Sequence, residues 1–246
     1  MHSEKKIISI ITVTLNAEQN IEKTIKSVQK QHSIKAVEHI VVDGGSSDST
    51  KQIIKSKFPS VKIEHIDDTG IYDAMNQAMK FASGEYIIFL NSGDIFCDRN
   101  AMKLYLESCK QNKDVVCSFY KINGRLNKRN IKQADVFSLI YGMPVSHQTL
   151  CIKKTILQKF KFDLNYRIAA DYDQLLKIMK IQNLNCHCIE KVLIEMEPGG
   201  LSDIDRFSAL SEQLKVLRSH NLIRPKNFIY YFYRYNVEIM KCLMRR

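Results

Sequence analysis

The chain contains no tryptophan, only four prolines and only nine glycines in 246 residues. So few breakers exclude a linker-rich, collagen-like or low-complexity chain. No run of about 18 apolar residues occurs, which excludes a membrane-spanning helix. The first residues, MHSEKKIISIITVTLN, hold two lysines but only a short apolar stretch and no small-residue cleavage site. They read as a first strand, not as a signal peptide. Seven cysteines include no CxxC pair. Cys186-His187-Cys188 has no second ligand pair to complete a metal site, so it reads as buried thiols in a reducing compartment.

Two phosphate-binding motifs are also missing. The first strand is followed by TLNAEQN, without the glycines that let backbone approach a pyrophosphate, and there is no G-x-x-x-x-G-K-[ST] loop. A nucleotidyltransferase would want a glycine-rich loop with a basic residue there. No known nucleic-acid-binding motif is present, so no nucleic-acid partner is expected.

What is present is ordinary globular composition, 45% hydrophobic and 26% charged, with a formal net charge of +11. Residues 206–246 hold nine Lys/Arg and two acids. A basic segment of that kind suits an anionic partner, its plain alternative being a solvated helix.

Residues 6–15 are β-branched and apolar, as in a buried strand. Ile21, Ile25 and Val28 then follow helical spacing. VEHIVV (37–42) is a second strand, a short helix follows Ser49/Thr50, and VKIEHI (61–66) is a third strand. Asp73–Ala82 reads as a helix closed by Gly84, and YIIFL is the fourth strand. This alternation predicts a parallel α/β sheet over the first hundred residues. Beyond it, 99–110 reads as helix and 114–122 as strand, with an Asn123-Gly124 hairpin turn. Residues 149–153 read as strand, 171–181 as helix, 186–194 as strand, and the rest is helical after a Pro198-Gly199-Gly200 loop.

In such sheets ligands bind beyond the carboxyl ends of the strands. Those ends here carry Thr14/Asn16, Asp43, Asp67/Asp68 and Asn91-Ser92-Gly93-Asp94. One acid after a strand is usually a helix cap; acids at three strand ends are a stronger signal. Without a glycine cradle, a diphosphate needs a divalent cation held by a carboxylate. Asp94, after the most buried strand, is the candidate, and Asp43 is placed to bond a ribose or base.

Four segments, SIITVTLNAEQNIEKTIKSV, VEHIVVDGGSSDST, GIYDAMNQAMKFASGEYIIFLNSGD and AADYDQLLKIM, stand in the order and spacing of a known family over roughly residues 6–180. The chain resembles the inverting glycosyltransferases of family 2. The resemblance implies an α/β GT-A fold: a Rossmann-like, mainly parallel sheet flanked by helices, with a C-terminal helical extension. It implies a glycosyltransferase domain over 1–205, divided into a nucleotide-sugar half (1–98) and an acceptor and base half (99–205), before a basic aromatic tail (206–246).

Residue by residue, it implies that Thr14, Asn16 and Glu18 contact the nucleotide and that Asp43 reads the uracil or ribose. Asp68, Asn76 and Ser92 would line the donor site, with His147 facing the diphosphate. Asp94 would hold Mg²⁺ or Mn²⁺, and Asp171 would be the catalytic base. The plain alternative for Asp171 and Asp173 is stabilisation of a helix N-terminus, which is preferred for Asp173. Gly199-Gly200-Leu201-Ser202 resembles a loop on the acceptor or phosphate side. The expected donor is a UDP-hexose or UDP-N-acetylhexosamine. The expected acceptor is a sugar on a polyprenyl diphosphate at the cytoplasmic membrane face, in capsule, O-antigen (lipopolysaccharide) or exopolysaccharide synthesis.

Three departures stand out. The metal motif, commonly richer in acids, retains one carboxylate; Ala170 stands where Glu is common; Val13 stands where Pro is common. The depleted motif keeps a second reading open, a degenerate, non-catalytic nucleotide-sugar-binding module. In the tail, Phe228, Phe232, Ile239 and Leu243 share one helical face. Clustered Tyr and Lys/Arg suit an anionic bilayer surface over residues 222–246, the rival being packing on the catalytic domain or in a homodimer.

Overall fold

The computed structural model describes residues 6–32, 34–129 and 138–244. The first half runs β1 (Ile8–Thr14), α1 (Ile21–Gln29), β2 (Val37–Asp43), α2 (Thr50–Lys57), β3 (Lys62–His65), α3 (Ile71–Ala78) and β4 (Tyr86–Phe89). All seven residues of β1 are buried, and apart from Ser9, whose hydroxyl donates to Glu38, they are apolar or β-branched on both faces. It pairs in parallel with β2 on one side and β4 on the other, and β2 pairs in parallel with β3. The parallel unit expected from the sequence is therefore present. One detail differs. Helix α3 ends at Ala78, and Gly84 does not cap it. A Cβ at Gly84 would lie 2.6 Å from the Ser9 amide nitrogen, so glycine is needed where the chain passes against β1.

The second half runs β5 (Ile95–Phe96), α4 (Ala101–Lys110), β6 (Val115–Ile122), β7 (Arg125–Asn127), β8 (Cys151–Lys153), α5 (Lys154–Lys159), α6 (Ala170–Met179) and β9 (Cys186–Met196). Among the described residues all nine strands form one sheet in the order β3-β2-β1-β4-β8-β6-β9-β5, with β7 on β6. Pairing here is mixed: β8 is antiparallel to both β4 and β6, β5 is antiparallel to β9, and β9 is parallel to β6. Asn123 and Gly124 both take positive φ (48° and 72°), as the tight β6–β7 hairpin demands. The seam expected after residue 98 is bridged by the sheet, where Ile87 faces Ile152 across β4 and β8.

Side chains pack on both sheet faces. Ile11, Val13, Met75, Leu176 and Val216 join one core, and Ile10, Tyr86, Tyr105 and Leu193 join the other. Burial of so much β-branched and aromatic surface is what fixes strand register, because a one-residue slip would expose it.

The chain ends in α7 (Leu201–Ile204), α8 (Arg206–Ser219) and α9 (Pro225–Met244). Asp205 caps α8 by accepting from the Ser208 amide at 3.1 Å. Helix α9 buries Asn227, Tyr231 and Glu238. Tyr230 stacks edge-on with Tyr141, and Tyr235 with Phe207. The apolar face picked out in the sequence points outward instead, with Phe228 59%, Phe232 65% and Leu243 60% exposed.

Candidate active site

The carboxyl ends of β1 and β2 are tied into one loop cluster. The Gly44 amide donates to the Thr14 carbonyl at 3.0 Å. Asn16 takes φ 49°, and its Oδ1 accepts from the Ser47 amide at 2.9 Å. A Glu18 carboxylate oxygen accepts from the Ser49 amide at 2.9 Å. Asp43 is fully buried, and its Oδ1 accepts from the Gly45 and Ser46 amides at 3.0 and 2.9 Å. Asp43 Oδ2 and Thr14 Oγ1, on register-paired residues, are buried without a hydrogen-bond partner. Two such atoms side by side are costly unless a ligand satisfies them. Asp68 Oδ1 accepts from the Gly70 amide, and its other oxygen stands where a Gly44 Cβ would be, 2.2 Å away.

Beyond β4 a cavity of about 590 Å³ opens. Ser92, Asp94, His147 and Asp171 line it, so four of the predicted residues meet in one space. Asp94 is 3% exposed, and its Oδ1 accepts from the Glu197 amide at 2.9 Å. Its Oδ2 and the Ser92 hydroxyl are buried without partners. Burial pushes the Asp94 carboxyl up to about 6, against the hydrogen bond from Glu197. Gly93 has φ 104°, and a Cβ there would meet Glu197 Cβ at 3.0 Å. Glycine thus lets the Asp94 segment turn beneath the loop that follows β9.

Asp171 sits in the first turn of α6, with its Oδ1 accepting from the Tyr172 amide at 2.8 Å and its Oδ2 3.2 Å from His147 Nδ1. Asp173 points the other way. It is 2% exposed and bonded to His220 Nε2 at 2.8 Å and Lys177 Nζ at 2.6 Å. Burial would raise it, but His220 and Lys177 outweigh that and hold its carboxyl below the usual range. Asp173 therefore anchors α6 to the end of α8. Its depressed value means stability that is present above the ordinary carboxylate pKa and lost as pH falls. Asp173→Asn should lower stability by about 1–3 kcal/mol at pH 7, with the gap between wild type and variant narrowing in thermal melts as pH falls below the ordinary carboxylate range. A gap that persists there would remove the electrostatic account.

Thr14, Asn16, Glu18, Asp43 and Asp68 belong to the β1–β2 cluster and do not line the cavity. Asn76 does neither: its amide donates to the Phe162 carbonyl at 2.9 Å and accepts from the Phe162 amide at 3.0 Å. The structure thus gives Asn76 a different task from the donor-lining one expected of it, riveting α3 to the segment before α6. Asn91, named only as part of a polar strand end, and Arg167 and Glu197, which sequence reading missed, all stand on the cavity wall. For Glu197 a signal existed, since it directly precedes the Pro198-Gly199-Gly200 loop, whose residues also line the cavity. Among the described residues no group of three His, Cys, Asp or Glu side chains could hold a metal. In the Cys186-His187-Cys188 segment, burial pushes the Cys186 thiol up to about 11.

The parallel first half joined to a mixed second half in one sheet is a GT-A fold. Residues 9–172 match the sequence model of Glycosyl transferase family 2, and the chain belongs to that family. It is 28% identical over 244 residues to UDP-Glc:alpha-D-GlcNAc-diphosphoundecaprenol beta-1,3-glucosyltransferase WfgD of Escherichia coli, covering 94% of this chain and 92% of that one. Among solved structures it resembles S. aureus TarS 1-349 in complex with UDP-GlcNAc. The TM-score is 0.69 at 22% identity, over 86% of this chain and 64% of that chain. It also resembles glucosyl-3-phosphoglycerate synthase from Mycobacterium tuberculosis in complex with Mn²⁺, UDP and phosphoglyceric acid. There the TM-score is 0.64 at 17% identity, over 87% and 78% of the two chains.

Proposed function

We propose that the protein transfers a hexose or N-acetylhexosamine from a UDP-sugar to a lipid-linked glycan, with inversion, in the synthesis of a bacterial surface polysaccharide. The observation that carries this is the meeting of Asp94, His147 and Asp171 in one cavity. The named activity of WfgD, a UDP-glucose donor and a diphosphoundecaprenol acceptor, supports the choice of substrates.

In this reading Asp43 and Thr14 meet the nucleoside through their unpartnered oxygens, held in place by the Asn16, Glu18 and Asp68 contacts. Asp171 accepts the proton of the acceptor hydroxyl as that oxygen bonds to the anomeric carbon. The bond from that carbon to the diphosphate breaks, and its electron pair leaves with UDP. Inversion follows from a single displacement. The buried, unpartnered Asp94 Oδ2 fits a hard divalent cation such as Mg²⁺ or Mn²⁺. When bound, that cation would neutralise charge on the departing diphosphate. With one carboxylate on offer, the donor's own phosphates would supply much of its coordination.

The outward stripe of α9 and the surrounding Lys/Arg favour docking on an anionic membrane face. No helix among the described residues is long and apolar enough to cross a membrane. Deleting residues 222–246 would remove buried Asn227 and Tyr231, so truncation tests packing and membrane binding together. The sharper variant is Phe228→Ser with Phe232→Ser. It should reduce sedimentation with anionic vesicles several-fold while leaving the melting temperature and UDP binding unchanged. Unaltered sedimentation, or a change in oligomeric state, would favour a protein contact over the membrane.

The single carboxylate of the metal motif is what favours a second reading, a non-catalytic nucleotide-sugar-binding module. Thermal-shift screening of UDP-sugars, followed by UDP release with added Mn²⁺, separates the two. A sugar that stabilises the protein but is never turned over, with or without acceptor, would decide for the binding module.

A further inference from the structure

His147 lies between two of the segments that build the cavity. Its Nε2 is 3.3 Å from Asn91 Nδ2, and its Nδ1 is 3.2 Å from Asp171 Oδ2. As oriented, the Asn91 amide nitrogen donates and Nε2 presents its lone pair, while Asn91 Oδ1 is buried without a partner. The ring proton of the neutral imidazole is then on Nδ1, where it donates to Asp171. A carboxylate can only accept, so both contacts are satisfied by one tautomer and by no other neutral one. The ring is 15% exposed and Asp171 19% exposed, which makes a fixed geometry available where loose surface groups would have none.

We infer that His147, set in the Nδ1–H tautomer by Asn91, is the positioning residue of Asp171. This rests on the reading of Asp171 as the base. With Oδ1 held by the Tyr172 amide and Oδ2 by His147, the carboxylate plane is fixed from two sides. Its remaining lone pairs are left for an acceptor hydroxyl. Tyr72 also faces Asp171, but its hydroxyl is spent on the Ile168 carbonyl at 2.7 Å. Arg167 and Asp203 share the cavity wall and are not paired with Asp171 in any hydrogen bond or ion pair described. The chain thus runs from the segment carrying Asp94, through Asn91 and His147, to Asp171. Asn91 is the departure that makes it work: an acid there could not donate to Nε2 and would favour the opposite tautomer or an imidazolium.

Two substitutions separate the ring's two ends. An Asn side chain can place its amide near the position of Nδ1, and a Gln side chain near that of Nε2. With the full chain, Mn²⁺ and UDP-glucose or UDP-GlcNAc as donor, His147→Gln should lower the rate constant for UDP release about 100-fold. That is the cost of misplacing a reacting group by roughly 1 Å. His147→Asn should recover most of the loss. UDP affinity should stay within about twofold in both. In an Asp171→Asn background, His147→Gln should cost nothing further, since residues acting as one unit are non-additive. Nitrogen-15 spectra of labelled histidine should show His147 as the Nδ1–H tautomer.

Full activity in Asp171→Asn would sink the base reading and the positioning role with it. An inactive Asp171→Asn beside a fully active His147→Gln would sink the positioning role alone. So would losses that multiply in the double variant, weaker UDP binding as the main effect, or an Nε2–H tautomer.

Discussion

Asp171→Asn should retain the fold and UDP affinity and lose about 10²- to 10⁴-fold in kcat, the usual worth of a general base. The amide oxygen can still accept from the Tyr172 amide, so the local hydrogen bond at the start of α6 survives. What is lost is the ability to take a proton. Single-turnover UDP release, alongside a UDP titration, separates this from a binding defect. The natural control, Asp173→Asn, must be assayed well below its own melting temperature. Its carboxylate is the buried partner of His220 and Lys177 and faces away from the cavity. If Asp173→Asn is dead while fully folded and Asp171→Asn is active, the two roles are exchanged.

Asp94→Asn should abolish metal-dependent turnover, because it removes the carboxylate of the metal motif while leaving Oδ1 to accept from Glu197. Asp94→Ala should lose turnover equally and loosen the Glu197 loop as well, since nothing then receives that amide. Without metal, Asp94→Asn should be more stable than wild type at pH 8, by up to about 3 kcal/mol. The sign follows from the direction of the shift. A carboxyl raised to about 6 by burial carries an ionisation penalty above that pH. The penalty fades as pH falls toward the value of the unfolded chain. Melting curves with EDTA and with Mn²⁺ plus UDP test both halves. Mn²⁺ with UDP should raise the wild-type melting temperature more than that of the variant. An Asn variant that turns over donor normally in Mn²⁺ would end the assignment of Asp94.

Much of the fold was legible because β1, β2 and β4 announce themselves by β-branched runs that stop at polar residues. The strand ends then placed Asp43 and Asp94 on the same edge. The antiparallel pairings were not legible. β5 is two residues long and finds β9 about a hundred residues away, and no local pattern encodes such a partner. Side-chain roles were harder still. Asp171 and Asp173 differ by two positions on a helix, so one faces the cavity and the other the α8 side; the sequence suggested only helix-start stabilisation for Asp173, not its pairing with His220 and Lys177. Asn76 belongs to a motif that suggests a ligand contact, and only its two bonds to Phe162 reveal a structural task. On α9 the periodicity correctly grouped Phe228, Phe232 and Leu243, but not which face docks. Burial there is set by Tyr231 and Asn227, which a hydropathy pattern ranks as the polar side.

The pairing of β4 with β8 has a kinetic meaning. It joins the half that carries Asp94 to the half that carries Asp171 through backbone hydrogen bonds in one continuous sheet, and the Asn76–Phe162 rivet crosses the same boundary. Among the described residues the two halves have no linker between them about which to swing apart. The span between Asp94 and Asp171 is therefore a property of the folded scaffold, set before any substrate arrives. Among the described residues, Pro198–Leu201 lines the cavity they share, with Gly199 at φ 90°.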